Sequence, residues 1–260
     1  MKPEFVNPGA SSKLMCMRNL VLGIETSCDE TAAAVIEGGR KALSNVVASQ
    51  VDIHKEYGGV VPEIASRKHV ELILAVIEKA LSEAGVGTGD IEAVAVTNGP
   101  GLIGSLMVGL STAKAFAYGL GVPLIGVNHL EAHLAAVHLE HEAEFPFVGL
   151  VVSGGHTSLY LVKSHTEFEI IGKTRDDAAG EAFDKAAKVL GLEYPGGVAI
   201  DRLAREGDRE AVEFPRPFKS SSSFDFSFSG LKTALVYYLR KNPEPGEEHL
   251  RDICACYQEA

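Results

Sequence analysis

Apolar and polar positions along the chain follow two periods, one of about two residues and one of about three and a half. Residues 21–25, Val-Leu-Gly-Ile-Glu, form an apolar run that predicts a buried strand, followed by a polar turn over 26–30, a return strand over 31–37 and a third strand over 42–51. Beyond Gly58-Gly59 the period lengthens. Ile64, Val70, Leu74, Ile77 and Leu81 share one stripe, which predicts a helix over 62–84 stopped by Gly85. A strand over 93–97, a loop over 98–101 (Asn-Gly-Pro-Gly), a long apolar helix over 102–118 and a strand over 123–127 follow, so the first half reads βββαβαβα. Gly104, Ser105, Gly109 and Ala113 recur on the long helix at intervals that let another backbone approach. The glycine-rich loop that opens it is only a weak phosphate signal, and helix packing is the preferred use of these small residues.

From Pro146 the pattern restarts. Residues 147–152 read as a buried strand, 153–155 as a tight turn, 156–162 and 167–173 as strands, and 178–190 as a helix stopped by Gly191. Strand, polar or glycine turn, strand, strand, helix therefore occurs twice. Two such halves facing each other make a duplicated α/β fold of the actin-like ATPase (ASKHA) type, with a nucleotide in the cleft and each half's first hairpin gripping phosphate. The implied organisation is a disordered extension over 1–18, a first domain over 19–145 and a second over 146–260. After Tyr194-Pro195-Gly196-Gly197 only helices are predicted, over 198–205, over 230–240 and from about 247 onward. Leu250, Ile253, Cys254 and Tyr257 keep helical spacing to the end, so the expectation is a second repeat cut short by two strands. An unfinished sheet would expose an apolar edge and favour self-association, a homodimer for example, or dependence on other chains.

With 260 residues and 46% hydrophobic content the chain can fill a core, and it lacks any run of the ~20 apolar residues needed to span a bilayer. No signal-peptide pattern opens it, so a cytoplasmic protein is expected. The net charge of −11 argues against broad adhesion to nucleic acid or anionic membrane, so any RNA must meet a local basic patch or a partner's surface. Cys16, Cys28, Cys254 and Cys256 have neither disulfide-framework density nor paired zinc-ligand spacing, which leaves free thiols as the default.

Candidate chemistry centres on His129-Leu130-Glu131-Ala132-His133. Positions four apart on a helix lie on one face, so both imidazoles can reach one cation; the other reading is a solvated helix face in a stretch that also carries His138 and His141. Ser153-Gly154-Gly155-His156-Thr157 joins two strands through glycines able to adopt positive φ, which would turn successive amides into an anion cradle or make a plain hairpin. Ser153 is unattractive as a hydrolase nucleophile, because it lacks the Gly-x-Ser-x-Gly context and the turn leads into a strand. Asp184, Gly197 and Asp201 offer a carboxylate for ribose hydroxyls and an open backbone for a ring or sugar, or else a surface helix with a turn. Residues 225–232 interleave aromatic and polar side chains before a helix that Ser229 could cap.

Taken together, Val21 to Thr31, Gly58 to Glu63, Asn98 to Leu102, Asn128 to Leu134, Val152 to His156, Gly180 to Lys185, Tyr194 to Gly197 and Phe226 to Thr233 closely resemble the tRNA adenosine threonylcarbamoyltransferase family, formerly described as O-sialoglycoprotein endopeptidases. The resemblance implies a metal-dependent acyltransferase that moves a threonylcarbamoyl group from its adenylate to the adenosine beside the tRNA anticodon. It places the metal, iron or zinc, on His129 and His133, and the adenylate or adenine nucleotide on Val152, Ser153, Gly154, Gly155, His156, Asp184, Gly197 and Asp201. No protein nucleophile is implied. Implied partners are tRNA, a paralogous actin-like subunit and a small ATPase, with no membrane. The family's third metal ligand, an aspartate, and a substrate-contacting asparagine have no match before Ala260, so the chain is expected to be an incomplete enzyme. Two other functions compete. A zinc endopeptidase would need Glu directly after the first His; here position 130 is Leu, and Glu131 points roughly 160–200° away from the rings at ~100° per residue. A non-catalytic actin-like nucleotide-binding subunit would have no use for the histidine pair.

Overall fold

Three antiparallel strands, β1 (Leu20–Glu25), β2 (Glu30–Glu37) and β3 (Lys41–Ser49), open the fold in a computed structural model that describes residues 18–219, 222–243 and 245–260. All but Arg18 of the expected extension over 1–18 lies outside the described residues. The third strand ends earlier than its apolar run suggests. Buried Gln50 accepts the Ile53 and His54 amides at its carbonyl, 3.0 and 3.1 Å away, and turns Val51 into the short helix α1 (Val51–Lys55). Helix α2 runs over Pro62–Ala84 and stops at Gly85, whose φ of 67° lets its amide close on the last carbonyls. Strands β4 (Ala93–Gly99) and β5 (Leu124–Asn128) are parallel to β1 and complete a five-stranded sheet in the order β3-β2-β1-β4-β5.

Helix α3 (Ile103–Leu120) lies beside α2 on one face of this sheet, and Leu22, Val35, Ile77, Val94 and Ala113 are among the buried residues of the core between them. The small residues of α3 serve packing. Gly109 faces fully buried Thr26, and the Thr26 hydroxyl donates to the Ser105 carbonyl at 2.8 Å. A Cβ at Gly109 would run into the Thr26 side chain, whereas one at Gly119 on the same helix would meet nothing.

The chain passes to its second half through α4 (His129–Ala135) and α5 (Val137–Glu140). The Asn128 side chain starts α4 by accepting the Leu130 and Glu131 amides. Leu130 and Leu134, four apart, bury themselves against Val151, Tyr160 and Val162 of the second sheet. That sheet is antiparallel, in the order β6 (Phe147–Val152), β7 (Thr157–Ser164), β8 (Glu167–Lys173). Four helices follow: α6 (Ala179–Val189), α7 (Gly196–Ala204), α8 (Ser229–Lys241) and α9 (Glu247–Glu259). They close around Ile200, Leu235, Ile253, Cys254 and Tyr257. Cys254 and Cys256 are buried free thiols of this core. The topology is the actin-like α/β arrangement, with a fuller first sheet and three strands in the second.

Ser229 does not cap its own helix. Asp176, distant in sequence, accepts the Phe228 and Ser229 amides at 2.8 and 3.2 Å and the Ser227 and Ser229 hydroxyls at 2.6 and 2.8 Å. Partial burial disfavours its charge, yet these bonds outweigh that and hold its pKa well below the carboxylate range. Among the described residues no helix is long and apolar enough to cross a membrane.

The two glycines of α3 should respond in opposite senses. Gly109→Ala should lose about 1–3 kcal/mol through overpacking against Thr26, and Gly119→Ala should gain about 0.5–1 kcal/mol from reduced unfolded-state freedom, both read by urea denaturation.

Candidate active site

Glu25 ends the apolar strand β1 and is the first charged group of the cleft. One of its carboxylate oxygens accepts the Ser27 amide; the other accepts the Thr97 hydroxyl at 2.5 Å and lies 3.1 Å from His129 Nδ1. Burial works against the charge, but hydrogen bonds from His129, Ser27 and Thr97 prevail and hold the Glu25 pKa at about 2. An ionised carboxylate can only accept, so His129 Nδ1 carries the proton and Nε2 presents a lone pair. The His133 Nε2 atom lies 3.2 Å from that lone pair. Two nitrogen ligands ~2.0–2.1 Å from one cation sit about this far apart at near-tetrahedral angles, so the pair fits a single transition-metal or zinc ion. Among the described residues no third His, Cys, Asp or Glu joins them closely enough to form a three-ligand cluster.

Across the cleft, the Ser153–His156 turn joins β6 to β7. The Ser153 amide donates to the His156 carbonyl at 2.8 Å, and the His156 amide donates to the Ser153 hydroxyl at 3.0 Å. Neither Gly154 nor Gly155 lies in the left-handed region, which corrects the expectation of positive φ here: the serine side chain closes the turn and the backbone stays in ordinary territory. Space is open where a Cβ would stand on either glycine. Gly180 is the tight position instead. Its Cβ would come within 2.7 Å of the Ser153 carbonyl oxygen and 2.8 Å of Gly154 Cα, so only glycine lets the start of α6 rest on this turn. The His156 ring centroid is 6.5 Å from that of His129, and burial together with His129 and His133 keeps its pKa below the ordinary histidine value. Burial and then His129 act on His133 in the same direction, so both rings favour the neutral, ligating form.

The remaining candidates lie in differing surroundings. Asp184 accepts the Gly196 amide at 2.7 Å, tying α6 to the start of α7, and burial raises its pKa despite that bond. Gly196 is packed within 2.7 Å of Asp184, Ala187 and Phe183 for any added Cβ, whereas one at Gly197 would make only ordinary contact with Phe183 at 3.8 Å. Tyr194 is pushed up in pKa by burial and by Asp184, Asp29 and Cys28. A groove beside Tyr194 is lined by Lys55 and Tyr57 from the first half and Asp184 and Gly196 from the second. Asp201 is engaged by Arg205 at 2.6 Å and Gln258 at 3.3 Å. Val152 is half exposed at the end of β6. Cys28 is a poor nucleophile, since burial, Asp29 and Glu25 push its thiol up to about 12. Burial, and after it the Glu131 charge, raises the Tyr160 pKa.

Residues 41–260 match the model of the tRNA N6-adenosine threonylcarbamoyltransferase (TsaD) family. The chain is 62% identical over 242 residues to the tRNA N6-adenosine threonylcarbamoyltransferase of Geotalea uraniireducens, covering 93% of this chain and 71% of that protein. It is 60% identical over 241 residues to the Anaeromyxobacter dehalogenans enzyme of the same name, covering 92% and 72%. This chain belongs to the tRNA N6-adenosine threonylcarbamoyltransferase family. It spans about 71% of the length of the relatives it matches. Among solved structures it resembles component A of the (R)-2-hydroxyglutaryl-CoA dehydratase of Acidaminococcus fermentans, with a TM-score of 0.48, 16% identity and coverage of 92% and 73%. It also resembles YeaZ from Pseudomonas aeruginosa, with a TM-score of 0.42, 15% identity and coverage of 90% and 97%.

Glu25, Ser27 and Thr97 of this family member are absent from the sequence-based site. The signal for Glu25 was a lone acid closing an apolar strand, which is rarely placed there without a partner. Because its folded pKa of about 2 lies below the ordinary 4.5, its stabilising contribution is full above pH 4.5 and lost as pH falls through about 2. Acid unfolding of the metal-free protein should therefore show a loss of stability across that window, and Glu25→Gln should flatten it.

Proposed function

We propose that the cleft binds threonylcarbamoyl-adenylate and that the chain transfers its threonylcarbamoyl group to the adenosine beside the tRNA anticodon. The observation that carries this reading is the meeting of the His129–His133 pair with the Ser153–His156 turn across the cleft. In this reading His129 and His133 hold a divalent cation, iron or zinc. When bound, the cation supplies a Lewis acid for the carbamoyl oxygen and a fixed anchor for the donor. Glu25 orients His129 and sets its tautomer. The open amides of Gly154 and Gly155 take the adenylate phosphate, with Val152, Ser153 and His156 shaping the turn. The Asp184 carboxylate and the backbone at Gly197 receive the nucleoside, and Asp201 lies one turn further along α7. Catalysis is then mainly a matter of holding acyl donor and amine acceptor in register, without a protein nucleophile.

tRNA is the acceptor in this proposal. The paralogous actin-like subunit and small ATPase implied by the sequence resemblance complete the assembly in a cytoplasmic setting. The order His129-Leu130-Glu131 speaks against peptidase chemistry, because no glutamate directly follows the first histidine.

A transfer assay with labelled threonine, bicarbonate, ATP, tRNA and the partner proteins tests the reading directly; absence of labelled tRNA both with this chain and with one extended by the family's C-terminal segment would overturn it. His133→Ala should abolish transfer with little change in stability, since the ring is exposed. His129→Ala should abolish transfer and also destabilise, because it strips a hydrogen-bond partner from the charged Glu25.

Gly155→Val should fold normally, because space is open at that Cβ, and should weaken AMP binding at least tenfold by filling the phosphate position. Equal affinity for wild type and variant in titration calorimetry would remove the nucleotide from this turn.

A further inference from the structure

His69 on α2 is a fully buried imidazole to which the functional reading above gives no part. The turn between β1 and β2 explains its place. Three successive carbonyls of that turn are each taken by a different element. Ser27 accepts the Leu102 amide at 2.7 Å, Cys28 lies 2.9 Å from His69 Nε2, and Asp29 accepts the Gln50 amide at 3.0 Å. Two of these donors are backbone amides, while the middle one requires a particular side chain. We infer that His69 is a positioning residue for the cleft: it holds the Cys28 carbonyl, and through it the Ser27 and Glu25 groups that aim the His129 ring. The inference rests on the reading of His129 and His133 as metal ligands and deepens it by naming what keeps the first ring in place.

The hydrogen-bond pattern fixes the state of His69. A carbonyl oxygen can only accept, so Nε2 carries the proton and Nδ1 presents a lone pair. The Thr31 hydroxyl donates to that lone pair at 2.7 Å, and Gln50 Nε2 lies 3.5 Å from it. The ring thus bridges the turn at Cys28 and the return strand at Thr31. Burial lowers the His69 pKa despite the Cys28 carbonyl, Glu25 and Asp29, and so favours the neutral ring that this pattern needs. An apolar side chain in its place would leave the fully buried Thr31 hydroxyl and the Cys28 carbonyl without this partner, a costly arrangement inside a core.

The turn so held is the one that orients His129. The Ser27 amide donates to Glu25, the Ser27 hydroxyl lies 3.1 Å from His129 Nδ1, and Glu25 lies 3.1 Å from the same nitrogen. One peptide unit separates these groups from the Cys28 carbonyl. On the side of α3 the turn has no slack, since a Cβ on Gly101 would stand within 2.5 Å of the Ser27 carbonyl oxygen. The entry to α3 therefore closes one side of the turn by contact, and His69 closes another by a hydrogen bond. Ligand geometry at a site of this kind depends on such supporting contacts.

The test reads the His129 ring directly, without tRNA or adenylate. In the metal-free, nitrogen-15-labelled chain, exchange of the His129 Nδ1 proton with solvent should be at least tenfold faster in His69→Leu than in wild type. His69→Gln, which keeps a donor near the position of Nε2, should stay within twofold. Ile73→Ala, a cavity one turn along α2, should lower the unfolding midpoint without moving the His129 signal, which separates positioning from mere stability. Thr31→Val nearly conserves volume and removes the hydroxyl bond to His69; it should speed exchange at least threefold and decides the matter where His69→Leu does not fold. Zinc affinity should fall at least fivefold in His69→Leu and hold within twofold in His69→Gln. Exchange within twofold of wild type in Thr31→Val and in folded His69→Leu would overturn the inference, as would loss of the signal in His69→Gln equal to that in His69→Leu. Failure of wild type to bind zinc would instead remove the metal reading and leave the proton signal to decide this one.

Discussion

The bond between Glu25 and His129 joins positions 104 residues apart, and the cleft depends on it. It fastens the start of α4 to the end of β1, while Leu130 and Leu134 on another face of the same short helix are buried in the second sheet. Helix α4 is therefore held from both sides, by a charge-assisted hydrogen bond on the first half and by apolar packing on the second. A seven-residue helix has little stability of its own, so its position is set by these two attachments and by the Asn128 cap. The direction of both histidine rings follows from that clamping. The ionised carboxylate then decides which nitrogen of His129 is free, and the electronic character of the pair comes from the strand behind it.

The facing wall is positioned by close backbone approach more than by side-chain chemistry. Gly180 lets α6 rest on the Ser153 carbonyl, and Gly196 lets α7 start against α6, where Asp184 accepts its amide. Thr157, buried beneath the turn, accepts the Ala179 amide at 2.9 Å and adds a second tie. Asp176 clasps the segment before α8 to the strand end that leads into α6, which steadies the rim of the cleft. The site thus consists of two preorganised walls, joined through α4.

Period and turn chemistry are properties of neighbouring residues, and they could be read without any coordinates. The helix over 62–84, the two strand hairpins and the repeat of strand, turn, strand, strand, helix all follow from apolar spacing, and the stop of that helix from the freedom of φ at Gly85. The family resemblance and the shared face of His129 and His133 were legible for the same reason, because four residues make about one helical turn. Other features depended on contacts between distant segments. The partnership of Glu25 with His129, the capping of α8 by Asp176, the conversion of Val51 from strand to helix and the need for glycine at 180 and 196 are such cases. Local propensity says nothing about which carboxylate a packed sheet will aim at which imidazole, since that choice is made by burial and by the cost of leaving a charge unpaired.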